Sequence, residues 1–360
     1  MLNSVAGGRS AIDSPRLHIK SAEQATSFIQ SYGFDFDKTD DQEKLWYYHR
    51  RALVLMVEKL QFDLNEIPEL LRERKSLGDV RRLLMFASSA EESERTLQRW
   101  SCAILRCMHV YVHAENDLFS SFSEEIQSQI LTPFQRAIYH DGNAHKAYLR
   151  SHAIEREPIE LLGFEVKPFK TSSSTVIKLL AKPDALAMKI FDKLGVRFIT
   201  RSLFDSFQVI RYLVEENIMS FAHIMPDQSS NNLFPVDLFV RTCKELMESG
   251  RAYSEAEVDQ VFSDRIHAVG ATEQFFRKEN NFSGADYRFI KFITRKLIHV
   301  YPQGGKDSFG FFYPFEVQIM DQAAHQAILS GPSEHEAYKE RQRRAARKRI
   351  FGESDGKVHP

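Results

Sequence analysis

Three cysteines in 360 residues, Cys102, Cys107 and Cys243, form an odd and unevenly spaced set. They offer neither a disulfide framework nor a paired zinc-type spacing, and such sparing use of thiols predicts a reducing, cytoplasmic setting. An excess of either charge is also lacking: 48 Lys+Arg stand against 49 Asp+Glu, a formal net charge of -1. No global field draws nucleic acid to this chain, so any polyanion must be caught by a local cluster. No apolar run is long enough to span a bilayer, and the opening MLNSVAGGRSAIDSPRL lacks the apolar core of a signal peptide; no membrane partner is expected. Internal repeats and low-complexity tracts are missing as well.

What the chain has in quantity is apolar surface. Hydrophobic residues make up 43% and there are 28 Phe, enough for a sizeable core, and the length accommodates two domains of ordinary size. Residues 1–20 read as a loose arm. From about 21 to 150 the pattern is helical: Leu45, Tyr48, Ala52, Leu55 and Leu60 recur at helical spacing, as do Leu97, Trp100, Ile104, Met108 and Val112, and then Ile126, Ile130 and Phe134. The Ser/Thr-rich TSSST marks a change of character. TVIKLLA (175–181), LGVRFIT (194–200) and IMSFAHIM (218–225) read as strands. LFDSFQVIRYLVEE (203–216) reads as a helix with Phe204, Phe207, Ile210 and Val214 on one face, and 235–268 is helical again. DYRFIKFITRKLIHVYP and GFFYPFEVQIM read as two long strands joined by the turn QGGKD, followed by a charged helical tail. The predicted architecture is an all-α domain over 21–165, then an α+β domain with a mixed sheet over 166–352, interrupted by a helical insertion at about 233–280.

Four short stretches carry residues able to do chemistry. In FEVQIMD (315–321), Glu316 and Gln318 share one face of an otherwise apolar strand, so that face either meets water or carries a charged substrate. In DKLGVRF, Asp192 precedes a strand, Gly195 permits close approach and Arg197 offers a planar fork for phosphate. In NNFSGADYRFIKF, Tyr287 stands beside Arg288 and Lys291, a stacking face plus charge that suits a nucleotide and equally suits an ordinary strand. In GPSEHEAYKERQRRAARKR, His335, Tyr338 and Lys339 open a run with seven basic residues and one acid over 339–349, either a solvated helix face or a patch for phosphate or RNA.

In their order, DKLGVRF, DYRFIK, EVQIMD and EHEAYK resemble the synthetase domain of the RelA/SpoT family, whose corresponding motifs read Asp-x-x-Gly-x-Arg, Gly-Tyr-Arg-Ser-x-His, Glu-x-Gln-Ile-Arg and Ala-His-x-x-Tyr-Lys. The resemblance covers roughly residues 172–345. It implies a nucleotidyltransferase-type fold and the transfer of pyrophosphate from ATP to the 3'-hydroxyl of GDP, GTP or RNA. It further implies Mg2+ held by Asp192 and Glu316, with Glu316 also acting as base. Gln318 would position the nucleotide and Tyr287 would stack on the acceptor base. Arg197, Lys182 and Lys189, with Lys178 nearby, would contact the donor, Arg288 and Lys291 would add charge, and His335 and Lys339 would close the site. The departures are Leu180, Asp286, Phe289, Lys291 and Met320 where the family has Arg, Gly, Ser, His and Arg; they bear most on the acceptor. Alternatives of other classes are a nucleotide or RNA sensor that keeps the fold without turnover, and a transferase that moves a nucleoside monophosphate. The histidines His109, His113, His140 and His145 with Asp141 match poorly the His-Asp pattern of the family's hydrolase domain.

Overall fold

A computed structural model describes residues 10–115, 121–142, 146–150, 157–167, 172–181, 191–269, 288–301, 308–330 and 335–351. In chain order the helices are α1 (Ala22–Gln30), α2 (Thr39–Val54), α3 (Glu69–Arg72), α4 (Arg74–Leu77), α5 (Arg81–Phe86), α6 (Arg95–Glu115), α7 (Ser123–Ala137), α8 (Ser172–Ala181), α9 (Leu203–Glu215), α10 (Val236–Glu248), α11 (Glu255–Val269), α12 (Gln322–Ser330) and α13 (His335–Phe351). The strands are β1 (Ile138–Asp141), β2 (Lys146–Leu149), β3 (Ile159–Lys167), β4 (Gly195–Thr200), β5 (Met225–Asn231), β6 (Ile290–Val300) and β7 (Phe309–Asp321). Over the described residues the protein is therefore α+β with one seven-stranded mixed sheet.

The chain forms two compact units that interleave in sequence: residues 1–117, 170–190 and 339–360 make one, and 118–169 and 191–338 make the other. The sequence pattern predicts instead a serial pair of domains meeting at 165/166. Strands β1 and β2 fall before that point and β3 runs across it. β1 and β2 have four residues each, too short to display a period of two against a helical background.

The first unit is helical. Trp100, Ile104, Met108 and Val112 are buried along α6, and Leu45, Tyr48, Ala52 and Leu55 along α2 and its continuation, as their spacing predicts. The stretch 175–181, expected as a strand, is α8 and belongs to this unit. Val176, Leu179 and Leu180 are buried at helical spacing, and the Tyr111 hydroxyl of α6 meets Ser173 Oγ at 3.3 Å. A short apolar run lacks the length to separate helix from strand, and packing decided it. The C-terminal α13 also belongs mainly here. Gln342, Ala346 and Ile350 are buried. Arg347 Nη1 donates to the Gln61 carbonyl at 2.6 Å, and Arg349 donates to Asp13 at 2.7 Å and to the Leu179 carbonyl at 3.0 Å.

The second unit is built on the sheet, in the order β1-β2-β3-β4-β7-β6-β5, antiparallel throughout except for the parallel β4–β7 pair. Register partners share a face. One face is the core: Phe164, Phe198, Ile319 and Ile290 form one row across β3, β4, β7 and β6, and Val166, Val196, Val317 and Phe292 the next. Helix α7 lays Ile126, Ile130 and Phe134 on this core, each at most 1% exposed, with the Phe134 ring 5.9 Å from that of Phe315 and 6.1 Å from that of Phe198.

Helix α9 is apolar on two sides. Val209 and Leu213 enter the sheet core, whereas Phe204 and Phe207 turn to a separate small core of Phe234, Leu238 and Phe262 supplied by the start of the predicted insertion and by α10 and α11. The rings of Phe207 and Phe239 stack at 3.8 Å, so part of the phenylalanine excess is spent on this satellite core. The predicted strand 218–225 is instead a 3-10 turn at Phe221–His223, and β5 starts only at Met225. Pro226 is tolerated there because β5 is an edge strand. The turn QGGKD lies outside the described residues.

Candidate functional site

The other face of the sheet is polar at its centre, where apolar residues would be expected in a strand buried on both sides. Alternation along β7 turns Val317 and Ile319 to the core and Glu316 and Gln318 to the opposite face, and the register carries this across four further strands. Glu165 on β3, Arg197 on β4, Gln318 on β7, Lys291 on β6 and Ser230 on β5 form one continuous row. Lys167, Gly195, Glu316 and Ile293 form the next.

The side chains interlock. Lys167 Nζ donates to Glu316 Oε1, and Lys291 Nζ lies 3.8 Å from Glu316 Oε2. Arg197 Nε donates to Gln318 Oε1 at 3.1 Å, and its Nη1 donates to Glu165 Oε2 at 3.0 Å. Glu316 is 5% exposed and Gln318 1%; buried this far, a carboxylate persists only with cations and donors around it. Gly195 makes the arrangement possible. A Cβ there would stand 3.2 Å from Glu316 Cβ and 3.3 Å from Lys167 Cδ, so a side chain would press on both ends of the ion pair.

The sequence reading named Arg197, Glu316, Gln318 and Lys291, and the fold brings all four together. It missed Lys167 and Glu165. Their signal was the alternation in GFEVK, two charged residues at i and i+2, split between the two predicted domains by the boundary at 165/166. Asp192 lies in the segment that leads into β4, three residues before Gly195. Arg288 is turned to the backbone, with Nη2 donating to the Leu233 carbonyl. Lys178 and Lys339 belong to the helical unit. Lys182, Lys189, Tyr287 and the side chain of His335 lie outside the described residues. One of the departures from the family motif, Met320, is fully buried in the core, and the next residue, Asp321, accepts at Oδ1 from Ala324 N at 2.8 Å, capping α12.

A divalent cation does not fit the described side chains as they stand. Glu316 is met by two ammonium groups, and among the described residues no cluster of three or more His, Cys, Asp or Glu is suited to hold a metal. His109 and His113 meet Tyr32 through edge-on and tilted ring contacts in the helical unit, whereas His140 and Asp141 lie on β1 of the sheet. His145 lies outside the described residues.

The second unit also has a cavity of about 430 Å3 at the start of α9, lined by Asp205, Asp259, Glu255, Tyr253 and Arg211 among others. Burial pushes the Asp205 and Asp259 carboxyls above the usual range, against the hydrogen bonds and the Arg201 charge that pull them down, and the Glu255 carboxylate adds to the rise at both. The cavity lining carries more carboxylates than cations, in contrast to the polar sheet face. No protein-family model matches the chain, and no curated protein matches it.

Proposed function

We propose that the sheet unit is a nucleotide pyrophosphokinase that binds ATP across its polar face and moves pyrophosphate to a hydroxyl of a second nucleotide. The observation that carries this reading is the row of charged and amide side chains, Glu165, Arg197, Gln318 and Lys291, with Lys167 and Glu316 beside it, in the centre of a sheet whose other face is apolar at the same positions along the strands. Three cations against two carboxylates leave this patch net positive, which suits a polyphosphate. The chain order of the four motifs supports the same reaction class.

In this reading Lys167, Arg197 and Lys291 take the donor phosphates, and Mg2+ enters with ATP, where it offsets phosphate charge. The acceptor hydroxyl oxygen attacks the β-phosphorus, the bond from that phosphorus to the α–β bridging oxygen breaks, and AMP leaves. Glu316 accepts the hydroxyl proton. Gln318, held by Arg197, orients the acceptor from the same row. A binding-only reading draws on one observation, that both oxygens of Glu316 already face ammonium groups.

The test is incubation with Mg2+ and ATP labelled at the γ or, separately, the α phosphate, with GDP, GTP, ATP and bulk transfer RNA as acceptors. The γ label is expected to move, and Glu316→Gln to lower the rate by about 10^2 to 10^4. Movement of the α label means nucleotidyl transfer instead. No transfer to any acceptor, with ATP bound, leaves a binding protein.

A further inference from the structure

Glu316 is hard to account for as a catalytic group at rest. A base or a metal ligand is most useful when exposed to its target, yet this side chain is 6% exposed and faces the ammonium groups of Lys167 and Lys291. The three cations of the face differ in freedom. Arg197 is pinned from both sides, by Glu165 and by Gln318. Lys167 and Lys291 keep 21% and 31% of their side-chain surface exposed, carry flexible four-carbon stems, and present a point charge that needs no fixed geometry. They are free to exchange one oxyanion for another within the reach of a side chain.

We infer that Glu316 is a resident counter-anion that holds the place of a phosphate, and that a nucleoside triphosphate draws Lys167 and Lys291 from it onto its own phosphate oxygens. The polyphosphate carries more charge than one carboxylate and offers several acceptors to each ammonium, so the exchange favours the ligand. Two consequences follow. The carboxylate competes with the ligand for the lysines and so weakens donor binding. Once the lysines leave, a buried carboxylate with fewer cations beside it binds a proton more readily, which readies Glu316 for the acceptor hydroxyl only after the donor is in place. Lys167, which the motifs did not include, becomes a phosphate-binding residue and the positioning residue for Glu316. This inference rests on the polyphosphate reading of the face, and its sign is opposite to that of a carboxylate that binds the donor through a metal.

The test is calorimetric titration of the full chain with tripolyphosphate and with ATP, in EDTA so that no metal bridges ligand and protein. Wild type is compared with Glu316→Gln and Lys167→Gln, and circular dichroism melts check that each variant folds. Glu316→Gln is expected to bind tripolyphosphate about tenfold more tightly, and Lys167→Gln about tenfold more weakly, the order of effect of one close charge pair. ATP should follow the same order. Unchanged or weaker tripolyphosphate binding by Glu316→Gln overturns the inference. So does unchanged binding by Lys167→Gln, a result that decides the matter even where Glu316→Gln fails to fold. ATP binding indifferent to both substitutions overturns the assignment to a nucleotide. Failure of label transfer with these affinities intact removes the transferase reading alone, whereas absence of binding in wild type and Glu316→Gln alike removes both.

Discussion

Burying a carboxylate costs several kcal/mol unless cations meet it, and at Glu316 they arrive from strands on either side of β7. His109 shows the opposite solution, in which a buried group gives up its charge. Burial, and then the neighbouring His113, hold the His109 imidazole down at about 4 from an ordinary 6.5, and Tyr32 Oη lies 2.8 Å from its Nδ1. The folded state therefore keeps His109 neutral where the unfolded chain protonates it. Between about pH 6.5 and pH 4 the unfolded chain binds more protons, so stability falls as pH falls, by up to about 1.4 kcal/mol per pH unit from this group. Urea titrations across that window should show the slope in wild type and a flatter profile in His109→Gln; equal slopes would remove His109 as its source.

At the scale of elements, the polar face exists because the other face is held so firmly. Helix α7 anchors there through Phe134 and is latched to β6 by Gln129, which donates to the His299 carbonyl at 2.8 Å and accepts from the His299 N–H at 3.0 Å. Phe134 packs against rings from β3, β4 and β7 at once, so its removal leaves a void between three strands that cannot close locally. Phe134→Ala is expected to cost about 3–5 kcal/mol, read as a lower urea midpoint with an unchanged slope. A loss below about 1 kcal/mol would mean that the helix is not the clamp described.

At the scale of the whole molecule, the two units exchange chain segments, and α13 returns from beyond the sheet unit to complete the helical one. Phe351 meets Trp100 at 4.7 Å and Phe62 at 5.7 Å, Arg106 Nη1 donates to the Ile350 carbonyl, and Arg347 and Arg349 are bonded to segments far upstream. Two of the seven basic residues of the run are thus structural. Both tryptophans, Trp46 and Trp100, lie in the helical unit, so their fluorescence follows that unit alone. A chain stopped after Tyr338 should show a lower fluorescence-monitored melting temperature by several degrees; an unchanged midpoint would mean that α13 is dispensable to the helical unit.

The sequence by itself determined the long, strongly periodic elements: α2, α6 and α7 in their apolar stripes, and β6 and β7 in their length. It also determined the pairing of Glu316 and Gln318 on one strand face, because a period of two needs no partner to be read. Tertiary structure decided the rest. Residues 175–181 became helical because buried neighbours, not intrinsic preference, settle a short apolar run. Arg288 turned to a carbonyl because the backbone at Leu233 took its guanidinium. Lys167 met Glu316, 149 residues away, because register across three strands brings side chains together that no local spacing relates.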